Sequence, residues 1–169
     1  MFNLSSTSAF STKTELYEFL LKQTQALIGN EHDFIANTAN LASLLWYSLP
    51  QINWVGFYRL KPEGLVLGPF QGKPACIRIP LGRGVCGTAI QQKRSLLIPN
   101  VHKFPGHITC DSESLSEIVL PLHVCDDLFL GVLDIDSPIE NRFDEFDLQG
   151  LEKIIRLLTS PLQKLMGNP

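Results

Sequence analysis

At 169 residues the chain is long enough for one domain with a sizeable core and too short for two comfortable ones. Hydrophobic residues make up 44% and charged residues 18%, a globular balance that argues against extended disorder. A net charge of -3 gives no electrostatic reason for nucleic acid or an anionic membrane as partner, and no apolar run approaches the ~20 residues of a membrane span. The N-terminal MFNLSSTSAFSTK has neither a basic region nor a long apolar one, so no signal peptide is read there and a cytoplasmic protein is expected. In that compartment the four cysteines are expected to be free, metal-bound or redox-active rather than structurally bridged.

In chain order, residues 1–11 read as a flexible leader and residues 12–167 as the folded domain. From 12 to 29 the apolar residues Leu16, Phe19, Leu20, Leu27 and Ile28 recur at helical spacing, with Gly29-Asn30 as the stop. A second helix is predicted over 33–49, closed by Pro50. The period then changes. INWVGFYRL, LVLGPF, CIRIPL, EIVLPLHV and LFLGVLDID are short apolar or alternating runs, separated by Gly, Pro or acidic turns, and read as strands. A short helix over 85–92 interrupts them. The end is helical again, with Phe146, Leu148, Leu151, Ile154, Ile155 and Leu158 on one broad face and Pro161 expected to kink it or start a new turn. Helices, five or six strands and a helix make an α+β layout: a central antiparallel sheet of about six strands, with helices packed mainly on one face.

Strand alternation says which side chains can meet. Trp54, Gly56 and Tyr58 share one face of their strand, with Val55 and Phe57 on the other. Asp134 and Asp136 project together, with Leu133 and Ile135 opposite. Cys76 and Arg78 lie on one side of CIRIPL, with Ile77 and Ile79 on the other. Taken alone, a strand edge explains the acids and ordinary packing explains the aromatics. GRGVCGTA is similar to an anion-binding turn at a helix start, with a plain structural turn as the simpler reading.

Cys76, Cys86, Cys110 and Cys125 form no CxxC pair, which excludes a thioredoxin-like dithiol and a zinc knuckle. A metal site assembled from Cys76, Cys86, Cys110, His102 and His107 lacks a short anchoring ligand pair, so no metal is expected. Cys86 falls in the first turn of the short helix, where backbone N–H groups favour a thiolate. Cys110 lies in GHITCDSESLSEIVLP, among acids that raise a thiol pKa. A thiol in that setting suits a substrate that brings its own activation. A sulfoxide does so: its oxygen is basic, and a protonated carboxyl can donate to it while the thiol attacks sulfur. Such chemistry needs an attacking thiol, an acid titrating near neutrality and a second thiol to close a disulfide.

The segments NWVGFY, GKPACIRIPLGRGVCGTA, NVHKFPGHITCDSESLSEIVLP, GVLDIDS and RFDEFD together resemble the free methionine-(R)-sulfoxide reductases, single GAF-domain enzymes. The resemblance implies thiol-dependent reduction of free methionine-(R)-sulfoxide to methionine, with no bound cofactor. It places three family cysteines on Cys76, Cys86 and Cys110 and leaves Cys125 outside the pattern. It implies Cys110 as nucleophile, with Cys86 as an alternative nucleophile or relay. Cys76 would capture the sulfenic acid, and thioredoxin, supplied by NADPH, would reduce the resulting disulfide. Pocket roles fall on Trp54, Tyr58, Glu117, Asp134 and Asp136: aromatics around the S-methyl group, carboxylates for the substrate ammonium, Glu117 and Asp136 also as acids. The loop HKFPGHITCDSESLS is long enough to act as a lid.

The alternative is a non-catalytic GAF domain that senses a cyclic nucleotide or metabolite. NRFDEFD is similar to the signature of cyclic-nucleotide GAF domains, with Arg142 in place of its lysine and compressed spacing. An apolar helix face is compatible with a homodimer.

Overall fold

The computed structural model describes residues 10–106 and 111–165. Two capped helices come first. The Thr12 hydroxyl accepts the Glu15 N–H at 3.2 Å and starts α1 (Lys13–Ile28), which stops at Gly29 with φ +47°. The Asp33 carboxylate accepts the Ala36 N–H at 2.8 Å and starts α2 (Phe34–Ser48). Each cap satisfies a backbone donor that the helix itself cannot, so both starts fall where the sequence puts them.

The remaining order is β1 (Trp54–Lys61), β2 (Gly64–Gly72), β3 (Arg78–Ile79), α3 (Gly84–Gln92), β4 (Leu96–Ile98), a single 3-10 turn at Val101–Lys103, β5 (Ser116–Cys125), β6 (Leu128–Ser137) and α4 (Glu145–Leu165). Six strands form one antiparallel sheet in the order β3-β2-β1-β6-β5-β4. Two edges differ from the sequence reading. CIRIPL contributes only Arg78–Ile79, because Pro80 has no N–H to extend the ladder. Leu96–Ile98 forms an edge strand that its three residues were too short to announce. At the C-terminus α4 runs through Pro161 to Leu165 rather than starting anew.

The two sheet faces are covered unequally. Val55, Phe57, Ile118, Leu120, Leu133 and Ile135 pack against α1, α2 and α4, with Leu20, Leu41, Leu45 and Leu151 fully buried between them. Burying each such side chain contributes about 1.5–3 kcal/mol. Among the described helices the opposite face carries α3, where Val85, Cys86, Ala89 and Ile90 meet Trp54, Tyr58, Val119 and Val132. One short helix cannot cover a six-stranded face, and the gap beside its N-terminus is the site.

On the three-helix side, the buried Asp147 accepts from the Tyr17 hydroxyl at 2.9 Å and from Arg142 at 3.2 and 3.3 Å, and pairs with Lys13. The Arg142 Nε–H also donates to the Pro50 carbonyl at 2.9 Å. Gly150 lets α1 approach α4: a Cβ there would lie 2.2 Å from the Tyr17 ring. No described helix is long and apolar enough to cross a membrane.

Candidate active site

Register builds the site. Asp136 on β6 stands opposite Trp54 on β1 and opposite Glu117 on β5, so three side chains form one row across three strands. In the next row Asp134 stands between Gly56 and Val119. Side chains two apart share a face, so Glu117, Asp134 and Asp136 all project toward α3.

The aromatic wall depends on Gly56. A Cβ there would lie 2.4 Å from the Phe70 Cβ and 2.5 Å from Trp54 Cη2, so the Trp54 ring occupies the space a side chain would take. Trp54 stacks on Phe70 at 5.5 Å and on Tyr58 at 5.8 Å. Both polar tips reach the β2–β3 connection: the Trp54 Nε1–H donates to the Lys73 carbonyl at 3.1 Å, and the Tyr58 hydroxyl to the Cys76 carbonyl at 3.1 Å. The pair expected as aromatic pocket residues therefore also fixes the backbone that carries Cys76. Cys76 itself is half-buried.

From the other side, α3 brings Cys86 in its first turn, as expected. Its Sγ donates to Glu117 Oε1 at 3.9 Å, and ligand atoms of Cys86, Glu117 and Asp134 all lie within 4.8 Å of one another. All three residues are buried, and Asp136 is half-buried. The cavity between wall and acids is lined by Trp54, Tyr58, Ile79, Val85, Cys86 and the three acids, with Lys73, Asp111 and Ser114 at its rim.

Burial and crowding set the protonation states. Desolvation first, then the Asp134 and Asp136 charges, hold the Glu117 carboxyl well above its usual value. Desolvation, then the Asp134 and Asp111 charges, does the same to Asp136. Desolvation raises Asp134 to about 6, less than its neighbours because hydrogen bonds with Cys86 and Glu117 oppose it. Burial and like charge thus favour the protonated forms of Glu117 and Asp136, and Asp134, at about 6, ionises most readily of the three. One Asp134 oxygen, Oδ1, is buried with no hydrogen-bond partner.

The same environment corrects the thiolate expected at Cys86. Burial, then the Asp134 and Glu117 charges, push its thiol well above the ordinary value, outweighing the helix start. The grouping weighed for a metal site, from which no metal was expected, does not form as written. Among the described residues, Cys86 gathers with Glu117 and Asp134 rather than with Cys76 and His102. Cys110 and His107 lie outside the described residues. Asp111, which follows Cys110 directly, lines the pocket. Cys125 ends β5, eight residues beyond Glu117, roughly 26 Å away by the strand rise.

Sequence reasoning missed the rim. The Lys73 ammonium pairs with Asp111 at 3.2 Å and with Glu113 at 2.7 Å, and the Asn53 Nδ2 donates to Ser114 Oγ at 3.0 Å. The Glu113 backbone N–H, with Lys73 and Asn53, holds the Asp111 carboxyl below its usual value. The pairing joins residues 38 apart in sequence, and no local pattern signals it.

The GAF domain family profile matches residues 36–160. The free methionine-R-sulfoxide reductase of Escherichia coli is 51% identical over 150 residues, covering 89% of this chain and 90% of that protein. The chain belongs to the GAF-domain family of free methionine-R-sulfoxide reductases. The Staphylococcus aureus enzyme solved in complex with substrate is 50% identical, with a TM-score of 0.80 over 88% of this chain and 94% of that one. The Neisseria meningitidis free methionine-R-sulfoxide reductase, also solved with its substrate, is 39% identical, with a TM-score of 0.88 over 99% of this chain and 97% of that one. Membership in this reductase family accounts for the segments that converge on the pocket. It leaves NRFDEFD to the fold, since Arg142 turns to the three-helix side and is held there by Asp147 and Pro50. The signature that favoured a cyclic-nucleotide sensor is a structural lock.

Proposed function

We propose that this protein reduces free methionine-(R)-sulfoxide to methionine. The observation that carries the reading is the split among the pocket acids. Two carboxyls whose protonated forms are favoured, buried Glu117 and half-buried Asp136, adjoin Asp134, which ionises most readily of the three, all facing an aromatic wall. Ionised Asp134, with its unpartnered Oδ1, receives the substrate ammonium, a charge that a peptide-bound methionine lacks. Trp54 and Tyr58 enclose the S-methyl group. Glu117 or Asp136 donates a proton to the sulfoxide oxygen.

Cys110 is the attacking thiol. Cys86 is the poorer candidate, because its proton is held by burial and by the neighbouring acids. Attack on sulfur moves the oxygen to the cysteine, releasing methionine and leaving a sulfenic acid. Cys76 then displaces that oxygen as water and closes a disulfide. A dithiol reductant of the thioredoxin class, itself reduced by NADPH, opens the disulfide with two electrons. In total one sulfoxide, two electrons and two protons become one methionine and one water, with no bound cofactor. The deciding experiment is a thioredoxin-coupled NADPH assay on the separated R and S epimers of free methionine sulfoxide. Turnover confined to the R epimer supports the reading, and absence of turnover with either removes it.

A further inference from the structure

We propose that Cys86, Glu117 and Asp134 also form a binding site for a thiophilic divalent cation of the zinc class, whose occupancy blocks the pocket. The three residues come from three elements, α3, β5 and β6, and their ligand atoms already lie within 4.8 Å of one another. Around a tetrahedral zinc-class ion, sulfur and oxygen ligands stand about 3.3–3.5 Å apart. Closing from the present spacing takes side-chain movements of about 1 Å or less. Cys86 Sγ and Glu117 Oε1, at 3.9 Å, are nearest to that value.

A second observation is independent of the clustering. Asp134 is 7% exposed, and its Oδ1 is buried without a hydrogen-bond partner. An orphaned buried carboxylate oxygen is costly, and either a donor or a cation relieves it. The substrate ammonium is one such partner and a metal ion is another, so the two compete for this oxygen. The mixed sulfur–oxygen donor set selects a borderline-soft ion over magnesium or calcium, and the open side of the cavity leaves the fourth position to water. Binding displaces the Cys86 thiol proton and the proton favoured on the Glu117 carboxyl, both passing to solvent. The ion is then an inhibitor rather than a cofactor, since it occupies the acids that the reaction needs free.

The test is a Cd2+ titration of the full-length chain carrying Cys76→Ser, Cys110→Ser and Cys125→Ser, which leaves Cys86 as its one thiol. Sulfur-to-cadmium charge transfer in the ultraviolet reports the bond. One equivalent should saturate the band, and Zn2+ should displace it. Adding Asp134→Asn, or in a separate variant Glu117→Gln, should weaken Cd2+ at least tenfold. Absence of the band overturns the proposal. So does an affinity unchanged in both carboxylate variants, which would show a lone thiol binding metal by itself. Because binding is read without turnover, this result and the reductase assay can fail separately.

Discussion

Glu117 and Asp136 stand directly opposite each other on neighbouring antiparallel strands, both facing α3. Like charges directly opposite across a ladder are destabilising, and here burial compounds the effect. Burial and the neighbouring charges raise both carboxyls, which favours their neutral forms and eases the repulsion. The sheet therefore holds two carboxyls with raised pKa in a cavity that also contains Asp134, one row away, which ionises more readily. A substrate with a basic oxygen at one end and an ammonium at the other fits that arrangement.

The first expectation concerns substrate form. If Asp134 holds the ammonium, N-acetylated or peptide-bound methionine sulfoxide loses a buried charged hydrogen bond, which costs roughly 2–5 kcal/mol. kcat/KM should fall by tens- to thousands-fold relative to the free amino acid. Comparable turnover of the N-acetyl compound would remove this account of specificity.

The cysteines separate by role. Cys110→Ser should abolish both steady-state turnover and the single-cycle release of methionine. Cys76→Ser should release one equivalent and then stop, since no disulfide reaches the reductant. Cys125→Ser, at the far end of β5, should turn over normally. One equivalent of methionine released by Cys110→Ser would transfer the nucleophile to Cys86.

The aromatic wall depends on Gly56. In Gly56→Ala the new Cβ meets the Phe70 Cβ and the Trp54 ring at about 2.5 Å, so the Trp54 ring must leave its place over β1. Overpacking of this kind typically costs 1–3 kcal/mol. Denaturant unfolding should show that loss. KM for the sulfoxide should rise, and the Trp54 fluorescence should change. A variant with native stability and native KM would show that the wall tolerates the displacement.

How much of this was legible in the sequence depends on the range of the cause. The helical spacing of Leu16, Phe19, Leu20, Leu27 and Ile28 and the alternation in GVLDIDS are local, and they showed the first helix and the shared face of Asp134 and Asp136. The resemblance supplied Glu117 as their partner; pattern alone did not, because the β5–β6 register that unites them is tertiary. The rim pair Lys73–Asp111 escaped notice for the same reason. Cys86 was misjudged by a local rule. Its helix start favours a thiolate, but burial, and then the acids arriving from β5 and β6, prevail. NRFDEFD, whose likeness to a cyclic-nucleotide signature supported only the alternative reading, serves Tyr17 and Pro50 on the other side of the sheet.

Stability should show the cost of the site. The Asp134 pKa rises from 3.8 to about 6 on folding, so between those values the folded state retains a proton that the unfolded state releases. Stability is therefore lost as pH climbs through this window, by about 3 kcal/mol at 1.36 kcal/mol per pH unit. Asp134→Asn, which cannot ionise, should be more stable than the parent at pH 7.5, with the gain shrinking toward zero near pH 4. Chemical denaturation at the two pH values checks this. A variant less stable than the parent at pH 7.5 would mean that the ionised carboxylate is compensated in the native state.

The last expectation concerns the proton donor. A general acid must be protonated when the thiol attacks, and burial and the Asp134 charge favour that form at Glu117 and Asp136 by raising their carboxyls well above the ordinary range. Their working form is lost as pH rises through those raised values, so the single-turnover rate should fall on the alkaline side. Glu117→Gln and Asp136→Asn keep the shape of the pocket but donate only from an amide. Each should slow the chemical step by about 10²–10⁴-fold, the usual weight of a general acid. The variant that removes the true donor should also lose the alkaline fall, whereas one that merely loosens the pocket should keep it at a lower rate. Asp134→Asn should act mainly on KM. Single-turnover rates measured across pH for the three variants assign the roles. Undiminished rates in both Glu117→Gln and Asp136→Asn would show that the proton comes from water or a thiol and that these carboxyls only bind.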